Sequence, residues 1–140
     1  MSRVLGLDVG EKTIGIAISD EDRTMAMPKE TILRELGTKQ TFATLRQLIA
    51  ENQIRVIVVG LPLMADGTKS KQAGKVEDFV RILRNHIRIP IFFQNELCTT
   101  FEAEQLLMQA NQKREDWKKT IDSIAASLIL KSWLEENSRV

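Results

Sequence analysis

Two apolar runs, Val4–Val9 and Thr13–Ser19, are separated only by Gly10-Glu11-Lys12. So short a gap can join two strands only as an antiparallel hairpin, because a parallel return needs a crossover of a dozen or more residues. The second run alternates, with Ile14, Ile16 and Ile18 on one face and Gly15, Ala17 and Ser19 on the other, the period of a strand. A third strand is expected around Met25 to Leu33, where Pro28 points to an edge or a bulge.

Beyond Leu33 the pattern changes to alternating helices and strands. Phe42, Leu45, Leu48 and Ile49 form one stripe of a helix over Thr41–Glu51. Ile54–Val59 is a β-branched run of the kind buried on both faces in a central parallel strand. After a loop from Gly60 to about Ser70, Val76, Phe79, Val80 and Leu83 give the spacing of a second helix. Ile89–Phe93 reads as a strand, and Thr99 with Glu102 opens a third helix with a capping-box pattern. A final helix over Thr120–Glu135 presents Ile121, Ile124, Ala125 and Leu128 inward. Hairpin strands followed by helix–strand alternation imply an α/β fold, a mixed sheet flanked by helices. With 140 residues the expectation is one domain spanning residues 1–140.

Composition narrows the function classes. Lys and Arg number 20 against 19 Asp and Glu, which excludes a strongly basic tail or coat but leaves room for a local basic patch. A single cysteine, Cys98, cannot close an internal disulfide and fits a reducing compartment. The most apolar stretch, Ile54–Leu63, contains Arg55, Gly60 and Pro62 and is too short to span a bilayer. A cytoplasmic protein with no membrane role is expected.

Asp8 is the first residue that looks like chemistry. Every neighbour in Val4-Leu5-Gly6-Leu7-Asp8-Val9-Gly10 is apolar or glycine, and an unpaired carboxylate there would be costly or protonated. A hydrogen-bond cage, a cationic partner or a metal must stabilise it; capping of the hairpin turn is the ordinary alternative. Glu96 follows a strand end, where α/β sheets place ligands, although on its own a solvated loop position is the better reading. Asp122 sits early in the last helix, where a carboxylate complements the helix dipole, but helical spacing aligns it with Ala126 and Ile129 and so partly toward the core. The loop containing Asp66-Gly67, a strong turn signal, leads into Lys69, Lys71 and Lys75. Its backbone amides and these lysines suit phosphate, while a solvated helix start is the bland reading.

Taken together, four ordered blocks resemble one family over nearly the whole chain. Gly6-Leu7-Asp8-Val9-Gly10 with Lys12, Ile14-Gly15-Ile16-Ala17 and Ser19-Asp20 resembles the opening of the YqgF family. Val58-Val59-Gly60-Leu61-Pro62-Leu63 with Asp66-Gly67-Thr68 resembles its second block. Asn95-Glu96 with Thr99-Thr100 and Glu102-Ala103 resembles its third, and Lys119 with Ile121-Asp122-Ser123 and Ala125-Ala126 its fourth. The departures are Asn95, Leu97 and Cys98, which stand where the family pattern has Asp, Arg and Leu.

The resemblance implies a ribonuclease H-like fold and a nuclease that processes precursor 16S ribosomal RNA or resolves branched DNA. It implies that Asp8, Glu96 and Asp122 form the acidic, metal-binding catalytic centre, and that the Gly60–Thr68 loop borders the nucleic acid. Three carboxylates with no His or Cys beside them suit a hard cation, Mg²⁺ or Mn²⁺. Lys12, Lys69, Lys71, Lys75, Lys118 and Lys119 are the expected backbone contacts, and the expected state is a monomer or a weak homodimer. Two other readings remain open from the residues. One is a non-catalytic RNA-binding ribosome-assembly factor of the same fold. The other is a phosphotransferase of the actin-like superfold, whose first phosphate loop shares Gly-x-Asp-x-Gly, but whose second domain has no room in this chain.

Overall fold

The computed structural model describes residues 2–64, 66–95 and 117–137, with side chains of the last stretch described from residue 122. Strands β1 (Arg3–Val9), β2 (Thr13–Ser19) and β3 (Ala26–Leu33) come first. A 3₁₀ turn (Arg34–Leu36) leads into helix α1 (Thr38–Glu51), then β4 (Ile54–Leu61), α2 (Lys71–His86), β5 (Ile91–Asn95) and α3 (Trp117–Asn137). The sheet order is β3-β2-β1-β4-β5. The pairs β1·β2 and β2·β3 are antiparallel, and β1·β4 and β4·β5 are parallel. The expected mixed sheet is therefore present, with β1 at its centre.

The strands' alternation divides the apolar side chains between two layers. Leu5, Leu7 and Val9 of β1, with Ile14, Ile16 and Ile18 of β2 and Ile57 and Val59 of β4, pack under α1 and α2 through Phe42, Leu45, Val76, Val80 and Leu83. Val4, Ala17 and Val58 face the other way, onto Ala126, Ile129, Leu130 and Leu134 of α3. A sheet covered on both faces needs runs that are apolar throughout, which is how β1 and β4 read. Pro28 lies in β3 opposite Ala17, on the outer strand of the described sheet, and the β2·β3 register shifts between Ile14 and Ile16. The expected edge position of that proline is present, while the register shift lies beyond it, between the Lys29 and Ile32 pairs.

Several boundaries differ from the sequence expectation by a few residues, and three element starts differ for local reasons. Helix α1 begins at Thr38, behind a Gly37 N-cap at φ 99, because Thr38-Lys39-Gln40 extends the helix without adding to its apolar stripe. Strand β5 begins at Ile91, since the Pro90 carbonyl accepts the Ile57 N–H at 2.9 Å and pairing proceeds from there. Helix α3 begins at Trp117, and its buried face is also rotated from the expected one. Ser123, Ala125, Ala126, Ile129, Leu130 and Leu134 are buried, whereas Ile124 and Leu128 are only partly so. The expected helix from Thr99 lies outside the described residues.

Helix α2 shows what a good local fit looks like. Ser70 caps it, its Oγ accepting the Ala73 N–H at 3.1 Å and donating to the Pro62 carbonyl at 2.5 Å. Arg84 and His86 occupy the last turn, where cations complement the dipole. Gly74 is the exception, a helical glycine with open space where a Cβ would stand. Gly74→Ala is expected to raise stability by about 0.5–1 kcal/mol, read as a rise in the urea or thermal midpoint. A lower midpoint would mean that Gly74 has an unseen neighbour. Among the described residues, no helix is long and apolar enough to cross a membrane.

Candidate nuclease site

The three parallel strands run in one direction, so Val9, Leu61 and Asn95 end at the same edge of the sheet. The Gly10–Lys12 turn, the loop after β4 and the start of α2 gather at that edge. Asp8 lies one residue from the end of β1, half-buried and paired in register with Gly15 of β2. Residues directly opposite in an antiparallel pair project to the same face, and for Asp8 and Gly15 that face carries α3. Helix α3 comes so close that a Cβ on Gly15 would stand 1.9 Å from the Asp122 carbonyl oxygen. The backbone of Asp122 therefore rests on the residue beside Asp8.

Side chains stitch the helix into this position. The Thr13 hydroxyl donates to Oδ2 of Asp122, and Ser123 Oγ donates to the Lys29 carbonyl at 2.5 Å while sharing a 2.8 Å hydrogen bond with Thr31 Oγ1. On the opposite face, Gln72 Nε2 of α2 donates to the Val9 carbonyl at 3.1 Å, and Arg34 Nη1 donates to the Gly10 carbonyl at 2.5 Å. Sequence reasoning missed Thr13, Ser123, Gln72 and Arg34. For Thr13 a signal existed, since it shares the β2 face of Gly15 by the period of two. The others reach across the fold and leave no local pattern.

The start of α3, with the Asp122 backbone, is thus seated on Gly15, the register partner of Asp8, and Glu96 lies outside the described residues, immediately after the last residue of β5. Among the described residues the donors at this edge are carboxylate oxygens with no imidazole or thiolate beside them, a set that fits a hard divalent cation rather than zinc. Among the described residues no three His, Cys, Asp or Glu side chains form a metal-holding group.

Four of the predicted basic residues, Lys12, Lys69, Lys71 and Lys75, lie on the turn, loop and helix start at this edge. Lys12, Lys71 and Lys75 are exposed. Lys75 pairs with Glu11, and this hydrogen bond and charge hold the Glu11 carboxyl below its ordinary range. Lys69 Nζ lies 3.0 Å from Glu77 Oε2. Exposed pairs of this kind are weak and screened, so a phosphate can exchange for the carboxylate. Lys118 and Lys119 fall in the first turn of α3, with side chains outside the described set. The loop amides behave differently from the sequence expectation. The N–H groups of Met64 and Gly67 donate to Thr68 and Met64 carbonyls at 2.7 and 2.9 Å, and that of Thr68 donates to Asp66 Oδ1 at 3.0 Å. The Thr68 hydroxyl first and its amide second depress the Asp66 pKa. Those amides hold the turn together and are not free for an anion.

A cavity of about 920 Å³ opens at this edge on the α1/α2 face, lined among others by Lys12, Arg34, Thr38, Lys75 and Phe79. It does not include Asp8 or Asp122. The Arg34 guanidinium stacks over Phe79 at 5.3 Å, and Phe79 stacks on Phe42 at 5.6 Å, so its floor is part of the helix-layer core.

Comparison with known proteins places this arrangement. The model of the RuvX family, described as Holliday junction resolvase, matches residues 2–136. A Lachnospira eligens protein named "Putative pre-16S rRNA nuclease" is 37% identical over 139 residues, 98% of this chain and 99% of its own. A Thermoanaerobacter pseudethanolicus protein of the same name is 42% identical over 134 residues, 95% of this chain and 96% of its own. Among solved structures, T. thermophilus RuvC in complex with a Holliday junction superposes with a TM-score of 0.60 at 10% identity, covering 99% of this chain and 96% of that one. The yeast mitochondrial Holliday junction resolvase Ydc2 gives 0.52 at 14% identity, covering 95% and 78%. At such identities the structural likeness shows the fold alone, and that fold is ribonuclease H-like. The chain belongs to the RuvX (YqgF) family.

Proposed function

We propose that the chain is a divalent-metal-dependent endonuclease of the cytoplasm that cleaves structured nucleic acid, with precursor 16S ribosomal RNA as first candidate and branched DNA as second. The observation that carries this reading is the seating of Asp122 on Gly15, the residue paired with Asp8. Nothing in strand or helix formation requires the backbone of one acidic residue to be seated beside another so distant in sequence, and a cation held between their carboxylates would account for it. The relatives' names point to the same chemistry.

In this reading Asp8, Glu96 and Asp122 are the metal ligands. Mg²⁺ or Mn²⁺ held there would activate water and stabilise the leaving 3′ oxygen. The protein's own groups do the rest. Asp8 is held by β1, whose end is fixed by the Gln72 contact to Val9. Asp122 is held by α3 docking. Lys12, Lys69, Lys71, Lys75, Lys118 and Lys119 grip the phosphate backbone and set its register without reading sequence.

Incubating the purified protein with precursor ribosomal RNA and with a four-way DNA junction, with and without Mn²⁺, tests the reading. Metal-dependent cleavage of either supports it. Tight RNA binding with no cleavage at any metal concentration overturns it in favour of the assembly-factor reading. The basic edge has its own test. Replacing Lys69, Lys71 and Lys75 together by Ala is expected to weaken binding and lower the salt slope by roughly 0.7–0.9 for each phosphate that is no longer neutralised. Wild-type affinity and slope would make these lysines ordinary solvated side chains.

A further inference from the structure

We propose that Thr13 is a positioning residue for Asp122, holding one carboxylate oxygen so that the other is presented to the cation. The inference rests on the metal-nuclease reading above and assigns a role to a side chain outside the ligand set.

Three observations converge on it. The Thr13 hydroxyl donates to Oδ2 of Asp122 across 109 positions of sequence. Thr13 is itself fixed: its carbonyl accepts the Gly10 N–H at 2.9 Å, it pairs with Leu33 of β3, and a β-branched side chain has little freedom at χ1. The backbone of Asp122 is fixed independently, by its approach to Gly15 and by the Ser123 contacts to Lys29 and Thr31. What remains free at Asp122 is rotation of the carboxylate, and the Thr13 hydroxyl is placed to remove it. A hydroxyl has one proton to donate, and a neutral donor leaves the carboxylate charged. Partners that orient a ligand in this way typically change metal affinity or activity 10- to 100-fold when removed.

A purely structural role would make the contact one more tether of α3, and three variants separate the two roles. Thr13→Val keeps shape and strand preference and deletes the hydroxyl; Thr13→Ser keeps the hydroxyl. Thr31→Val deletes a contact of the same kind to Ser123 without touching Asp122. Binding of Mn²⁺ alone is measured by calorimetry beside thermal unfolding and single-turnover cleavage. The expected result is a loss of about 10-fold or more in Mn²⁺ affinity and 10- to 100-fold in cleavage for Thr13→Val, near-wild-type values for Thr13→Ser, and wild-type Mn²⁺ affinity for Thr31→Val despite a lower midpoint. Wild-type Mn²⁺ affinity in Thr13→Val, or an equal loss in Thr31→Val, overturns the proposal and leaves the nuclease reading intact. A wild-type protein whose Mn²⁺ binding does not depend on Asp8 overturns both.

Discussion

Asp8→Asn is expected to abolish metal-dependent cleavage while leaving the fold as stable as wild type or slightly more so. The substitution keeps the side chain's shape and removes its charge at the point where β1 ends beneath α3. Loss of a group that stabilises developing charge costs roughly 10²–10³-fold in turnover, and loss of a metal ligand costs at least as much. Stability is expected to hold or rise slightly, because Asn keeps the shape of the side chain and one negative charge leaves the edge where Asp122 is also seated. Opposite movement of the two readouts makes the test sharp: a merely misfolded variant loses both. Single-turnover cleavage with Mn²⁺ and a urea melt on the same preparation are enough, and unchanged cleavage would remove Asp8 from the ligand set.

Gly15→Ala is expected to give the largest loss of stability of any conservative change in the chain. A methyl group there would stand 1.9 Å from the Asp122 carbonyl oxygen, 2.3 Å from its carbon and 3.0 Å from the Ser123 nitrogen. All three are backbone atoms, so no side-chain rotation makes room and the start of α3 must move. Overpacking typically costs 1–3 kcal/mol and occasionally more; a rigid helix against a rigid sheet belongs at the upper end, about 3 kcal/mol. For a chain of this size that is a fall in Tm of roughly 6–12 °C. Cleavage should fall with it, because the same movement carries Asp122 away from Asp8. A Gly15→Ala protein that melts at the wild-type temperature would show that α3 can sit elsewhere.

Much of the fold was legible because its signals are local. The gap of Gly10-Glu11-Lys12 allowed nothing but a hairpin, Pro28 belonged at an edge or a bulge, and the apolar stripe through Val76, Phe79, Val80 and Leu83 could only be a helix. The face of α3 was not legible. From Ile121 to Leu130 that helix is apolar on most sides, so periodicity cannot choose between them. The choice is made by the sheet: Gly6, Gly15 and Ala17 form a shallow surface onto which the helix backbone settles, at 2.9 Å from a would-be Gly6 Cβ to the Leu130 Cβ. Asp8 stood out as a carboxylate in an apolar run. Asp122 and Glu96 were recognisable by resemblance rather than by local physics, and Glu96 falls outside the described residues. The residues that hold the site, Thr13, Gln72 and Ser123, act across 109, 63 and 92 positions, and no window of sequence contains such a pairing.

The docking of α3 on the first hairpin also has a temporal meaning. Asp122 follows Asp8 by 114 positions, so for a time a nascent chain carries only the first of the two. At 5–20 residues per second the interval between the two is roughly 6–23 s. Throughout that time the β1–β2 hairpin is exposed to any RNA nearby without the partner carboxylate that the proposed chemistry needs. An enzyme directed at ribosomal RNA precursors would thus acquire its activity only once α3 has been made and has docked on the first hairpin.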